Sequence, residues 1–187
     1  MISEYYAKAG ARVTGVDLSE EAIERADIRK ERYRFEAEFK VADAVHLPFS
    51  DNSFDIVSVH DGLHHLKEPQ RAVKEIARVA KKGVIIIEPA KAFITRISVF
   101  FGISTDYEGK DFVYRFKESE VRQWLKESGI KDVIVKRYIM YYPHKPGRIF
   151  KIFDFPILSF LARVVFYSAN FFCGNIIGNK IQIIGLK

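Results

Sequence analysis

The chain has 187 residues, of which 48% are hydrophobic and 14% aromatic, and it carries a net charge of +6. That length suits one domain with a sizeable core, and the apolar content excludes intrinsic disorder. A single cysteine, Cys173, excludes an internal disulfide, and its setting in Phe171-Phe-Cys-Gly174 predicts a buried packing role.

The first residues show no cationic start followed by an apolar stretch, so the chain is expected to be unsecreted and cytoplasmic. Ile2 to Lys8 reads as the end of a helix stopped by Gly10, and Arg12 to Val16 as a strand running into Asp17-Leu18-Ser19. Ser19 is the expected N-cap of the next helix, with Glu20 and Glu21 in its first turn and Ala22, Ile23 and Ala26 on its apolar face. Arg34 to Val41 alternates as an edge strand does, with Phe35, Ala37, Phe39 and Val41 on one face.

Asp43-Ala-Val-His-Leu-Pro-Phe49 follows, then Asp51-Asn-Ser-Phe54-Asp55. Phe54 to Val59 is nearly continuously apolar, as expected of a central strand covered on both sides. It opens into His60-Asp61-Gly62-Leu63-His64-His65. Pro69 to Ala80 reads as an amphipathic helix with Ala72, Val73, Ile76, Ala77 and Val79 inward, Gly83 as the turn after it, and Val84 to Ile87 as a buried strand delivering Glu88-Pro89. This alternation of strand and helix predicts βαβ units and a parallel sheet.

Beyond Pro89 the pattern gives a helix at Phe93 to Phe101, a loop at Gly102 to Asp111, and a helix at Lys117 to Ser128 carrying Val121, Trp124 and Leu125, stopped by Gly129. Lys131 to Met140 and Lys180 to Leu186 read as strands, separated by an insertion from Pro143 to Asn179. From Pro143 onward there are six basic residues (Lys145, Arg148, Lys151, Arg163, Lys180, Lys187) against one acid, Asp154, interleaved with seven phenylalanines. The longest uncharged run, Val164 to Asn179, falls short of the ~20 residues of a membrane span. The insertion is therefore expected to be an amphipathic cap that touches a membrane peripherally, packs on the sheet, or forms a subunit contact in a homodimer.

The residues suited to chemistry gather at strand ends. Asp17 at a strand tip suits a ribose diol, against the ordinary role of a helix-capping acid; Asp43, at the next strand end, reads by itself as a turn residue bonding its own backbone. His60-Asp61-Gly62-Leu63-His64 approaches a zinc-protease spacing, but Asp stands where the general-base Glu belongs, Gly62 weakens a helix and no third ligand is evident, so no metal is expected. His60 and Asp61 are the candidates for cofactor or substrate contact, while His64 and His65 read as structural.

Taken together, Asp17, Asp43-Ala44, Leu47-Pro48-Phe49, Phe54-Asp55 and Leu63-His64-His65 resemble the class I S-adenosylmethionine-dependent methyltransferases, closely from Ala11 to Pro89 and in outline beyond. The resemblance implies an α/β Rossmann-like, doubly wound, mostly parallel sheet whose last two strands form an antiparallel edge hairpin around a helical insertion. It also implies S-adenosylmethionine as cofactor, with Asp17 on the ribose, Leu18 on the adenine face, Asp43 accepting from the adenine amino group, the Ala44 backbone on a ring nitrogen, and His60 beside the sulfonium. His60, Asp61 and Glu88 are the candidates for a catalytic base, which methyl transfer does not always need.

One departure from the family pattern stands out: Met1 to Gly10 holds no strand and glycine-rich loop ahead of Asp17's strand. The expectation is thus a single domain over residues 1–187, incomplete at its N-terminus, with a cap at 143–179. The expected function is methyl transfer to a small, lipophilic acceptor; the alternative is a non-catalytic methyltransferase-like binding or membrane-associated module. A nucleic-acid partner is disfavoured, because no flipped-base element follows the Phe54 to Val59 strand and no long basic stripe is present.

Overall fold

The computed structural model describes residues 2–93, 95, 100, 107–108, 111–112, 114–140 and 155–187. Helix α1 (Ile2–Lys8) leads through Gly10, at φ +90°, into β1 (Val13–Asp17). Ser19 caps α2 (Glu20–Tyr33) by accepting from the Ala22 N–H at 3.2 Å. Arg34, at φ +49°, closes that helix in the left-handed conformation, so the strand expected from Arg34 starts only at β2 (Ala37–Val41). Strands β1 and β2 pair in parallel, Val13 opposite Ala37 through Asp17 opposite Val41.

A second, four-stranded sheet has the order β3 (Phe54–His60), β4 (Ala80–Pro89), β8 (Lys180–Leu186), β7 (Asp132–Tyr138). β3 and β4 are parallel; β8 runs antiparallel to both β4 and β7, which is the expected edge hairpin. A short antiparallel ribbon, β5 (Tyr107–Glu108) and β6 (Asp111–Phe112), lies apart from both sheets. Helix α3 (Pro69–Val79) covers the large sheet with the stripe expected of it: Ala72, Val73, Ile76, Ala77 and Val79 are all buried. They meet Val84 and Ile86 of β4, Ile181 and Ile183 of β8, Phe116, and Val121 and Leu125 of α4 (Glu118–Glu127) in one apolar cluster. Each fully buried Val, Leu, Ile or Phe of the cluster contributes roughly 1.5–3 kcal/mol.

Three sequence expectations change here. β3 is not covered on both sides: none of its seven residues is buried and Ile56 is 47% exposed, because among the described residues no strand pairs with its outer edge or with that of β1. Gly83 is not a turn. It lies inside β4, where a Cβ would stand 2.5 Å from the Gly185 carbonyl oxygen, so glycine there permits the close approach of β8. Cys173 is exposed, because its helix stands off the core.

That helix, α5 (Pro156–Ile177), is the described part of the expected cap. Its phenylalanines and aliphatic side chains point away from the protein: Ile157, Phe160, Val165, Phe171, Phe172 and Ile176 are all exposed, and Gly174 is its one buried residue. Of the three roles expected for the cap, this exposure departs from packing on the sheet, since the apolar side chains lie outside. Residues 143–154 of the expected cap, with Lys145, Arg148 and Lys151, lie outside the described residues, as does most of the expected helix at Phe93 to Phe101 and loop at Gly102 to Asp111.

Candidate active site

Parallel strands deliver their carboxyl ends to one edge of a sheet, and the polar residues picked out above stand at those ends. Asp17 is the last residue of β1 and is exposed; its Oδ1 accepts from the Ser19 N–H at 2.9 Å, and its carbonyl accepts from the Ala42 N–H at 2.9 Å, which ties the two strand tips together. Leu18 beside it is 70% exposed, an apolar side chain with no apolar cover. After β2, Asp43 Oδ1 accepts from the Val45 N–H at 3.0 Å, while Ala44 and Val45 pack on the core.

This loop is clamped from α3. Glu75 accepts from the Leu47 N–H at 3.0 Å; Arg78 donates to the Leu47 carbonyl at 3.1 Å, to the Phe49 carbonyl at 2.8 Å and to Asp51 at 2.8 Å. The Arg78 guanidinium first, and the Leu47 N–H after burial is set against it, hold the Glu75 carboxyl below its ordinary value. Neither residue was singled out from sequence, although their i, i+3 spacing on the outward face of an amphipathic helix was readable.

At the end of β3, Asp61 adopts φ +52°, a strained conformation for a non-glycine residue. Its N–H donates to the Ile87 carbonyl at 2.9 Å, extending the pairing of β3 with β4. Asp61 Oδ2 lies 3.3 Å from His60 Nδ1, and Oδ1 is paired with the Lys180 ammonium. Lys180 opens β8 and is the register partner of Tyr138 on β7. Burial, and after it the Asp61 charge, push the Tyr138 hydroxyl above its ordinary value. Sequence reasoning placed Lys180 and Tyr138 only as strand residues; the register of the edge hairpin was the signal that would have brought them to the site.

Glu88, by contrast, is fully buried. One oxygen accepts from the Gly62 and Leu63 N–H groups, both at 2.8 Å, and the other lies 2.8 Å from His64 Nδ1. A carboxylate only accepts, so the Nδ1 proton points at it. Asp61, His64 and Glu88 hold ligand-type atoms within 4.8 Å of one another, supplying the third residue that the sequence did not reveal. Each is already engaged: Glu88 by three donors, Asp61 by the Lys180 ammonium, which occupies a cation's position.

The geometry defines an α/β protein of Rossmann-like fold, with its polar residues at the carboxyl ends of its parallel strands. Residues 1–87 match the family model described as "Methyltransferase domain". A ubiquinone biosynthesis O-methyltransferase of Coxiella burnetii is 30% identical over 152 residues, covering 78% of this chain and 64% of that protein. A demethylmenaquinone methyltransferase of Renibacterium salmoninarum is 42% identical over 81 residues, 43% of this chain and 32% of that one. The crystal structure of magnesium protoporphyrin IX methyltransferase from Synechocystis PCC 6803, with bound S-adenosylhomocysteine, superposes with a TM-score of 0.64 at 18% identity, covering all of this chain and 68% of the other. The chain thus spans less than two thirds of the Coxiella relative, 64%, and 32% of the Renibacterium one. These matches support a class I S-adenosylmethionine-dependent methyltransferase.

Proposed function

We propose that this protein transfers a methyl group from S-adenosylmethionine to a small lipophilic acceptor of the quinone-precursor kind. The observation that carries the proposal is the row of Asp17, Asp43 and His60-Asp61 at the carboxyl ends of successive strands. Asp17 bonds the backbone through Oδ1 and keeps Oδ2 for the ribose diol; Leu18 lies against adenine; Asp43 and the Ala44 backbone take the adenine edge. The bound cofactor supplies a methyl group on an electrophilic sulfonium, so the protein needs to orient the acceptor, exclude water and accept a proton.

His60 is the base in this reading. Asp61 holds Nδ1 and Lys180 holds Asp61, which leaves Nε2 to take the proton of an acceptor hydroxyl. Glu88 positions the loop, because it is fully buried and already engaged by three donors. The lipophilic class of acceptor is supported by the quinone-related names of the relatives and by the exposed apolar arc of α5, which also supports peripheral membrane contact.

The test is calorimetric titration of the full chain with S-adenosylmethionine, followed by transfer of a labelled methyl group to a prenylated catechol. Asp17→Ala should weaken cofactor binding by roughly 1–3 kcal/mol, the cost of a lost charge-assisted hydrogen bond. His60→Ala should leave cofactor affinity unchanged and slow methyl transfer. Cofactor binding without any transfer would favour the non-catalytic module, and unchanged affinity in Asp17→Ala would remove Asp17 from the ribose site.

A further inference from the structure

Helix α5 has a narrow stripe of small and polar residues, Ser159, Arg163, Asn170 and Gly174, and at about 100° per residue its bulky apolar side chains occupy most of the remaining circumference. The C-terminal end of the stripe is fastened to β7, the edge of the sheet. Asn170 brackets Ile139, accepting from its N–H at 2.6 Å and donating to its carbonyl at 3.0 Å. Asn175 accepts from the Arg137 N–H at 3.2 Å, and Asn179, just past the helix, brackets Met140 with two bonds of 2.8 Å. Side-chain amides thus satisfy backbone groups that an edge strand would otherwise leave open. At Gly178 a Cβ would stand 2.5 Å from the Tyr138 nitrogen, so the attachment is close as well as polar.

The protein-facing side of α5 is therefore polar, and the outward side carries Phe171 at 83% exposure, Ile176 at 77% and Ile157 at 75%. A helix packed on a soluble domain shows the reverse arrangement. The exposed arc is a contiguous run of aliphatic and phenyl groups along a helix of 22 residues, about 33 Å at ~1.5 Å rise per residue, more apolar surface than a soluble monomer ordinarily leaves bare.

We infer that α5 is a monotopic membrane anchor, lying in one leaflet of an anionic bilayer with its apolar arc in the acyl region. Length and composition alone would allow the helix to span, but its connections forbid it. Tyr138 and Lys180 are paired in one sheet, so the chain must leave and return on the same side, and the outgoing limb carries Lys145, Arg148, Lys151 and Asp154. Charge separates a bilayer from a second copy of the chain as the occupant. Lys145, Arg148 and Lys151 ahead of the helix in the sequence and Arg163 within it stand against one acid, Asp154, a balance that attracts anionic headgroups and repels an identical copy.

The anchor is rooted in the candidate site. Directly after α5, the Asn179 carbonyl accepts from the Ala90 N–H at 2.8 Å, and Lys180 pairs with Asp61. A substrate dissolved in the leaflet would thus meet the site at the membrane surface. The inference extends the lipophilic-acceptor reading and is tested separately from it.

The experiment is flotation of the full chain with vesicles of phosphatidylcholine alone and of phosphatidylcholine with 30% phosphatidylglycerol. The wild type should float with the anionic vesicles, at least tenfold less with neutral ones, and less as salt is raised. Phe160→Asp combined with Phe171→Asp, both on the outward arc, should lower anionic flotation at least tenfold while leaving the circular dichroism unchanged. Failure of the wild type to float, or equal flotation of the double variant, overturns the anchor. So does a discrete lipid-free dimer that the variant dissociates. Loss of cofactor binding with flotation intact refutes the enzymatic reading and leaves the anchor standing.

Discussion

Replacing Glu88 tests whether the site rests on its buried carboxylate. In Glu88→Ala, three donors lose their acceptor together: the N–H groups of Gly62 and Leu63 and the Nδ1–H of His64, each now 2.8 Å from a Glu88 oxygen. Leu63 is 1% exposed and His64 6%, so water cannot reach them without opening the loop. A buried donor left unmet costs about 1–3 kcal/mol, and here three are left at once. The expected loss for Glu88→Ala is therefore about 3–5 kcal/mol, a large part of the total stability of a domain this size.

Glu88→Gln separates the carboxylate's acceptor role from its charge. Its amide oxygen can still accept from both backbone groups, and its NH2 can donate to Nδ1 once His64 changes tautomer, so about 1–2 kcal/mol should be lost. Urea denaturation followed through the single tryptophan, Trp124, reads both variants, since its ring lies edge-on to the buried Phe116 with centroids 6.1 Å apart. A Glu88→Ala midpoint within 1 kcal/mol of wild type, or a Gln variant as costly as the Ala variant, would refute the argument.

Glu75 should make the clamp on the Leu47 loop sensitive to acid: its folded carboxyl is held below 4.5, so the stability it contributes is present above that value and is lost as pH falls through the lower folded one. Glu75→Gln should cost about 1 kcal/mol at pH 7, a modest figure because the pair is partly exposed, and the gap from wild type should narrow at pH 3.5; urea midpoints showing an equal gap at both pH values would refute this. Gly83→Ala must part β4 from the Gly185 carbonyl and should cost about 1–3 kcal/mol, seen as a lowered Tm; an unchanged Tm would show that the strands do not approach as described.

What was legible in the sequence was local or periodic. The α3 stripe follows from spacing within eleven residues, the Ser19 cap from one hydroxyl before two acids, and the Asp17, Asp43 and His60 positions from their places at the ends of apolar runs. What escaped was non-local. Lys180 meets Asp61 across 119 residues of chain, and nothing near either residue announces the other. Gly83 looks like a turn glycine until the opposing Gly185 is placed against it. Cys173 and its neighbours look like core residues because composition records that a side chain is apolar but not which way it faces.

The same limit left membrane contact, packing on the sheet and a subunit contact all open for the cap that holds α5. Its moment is real, but a moment has no sign relative to the protein until the attachment is known. Asn170, Asn175 and Asn179 supply that sign, since amides that bond an edge strand fix the polar stripe inward. The phenylalanines then have no route back to the core. Those asparagines grip Arg137, Ile139 and Met140, and the register of β7 with β8 sets Tyr138 against Lys180. Lys180 in turn pairs with Asp61, so the attachment of α5 is continuous with the contacts that hold Asp61 beside His60.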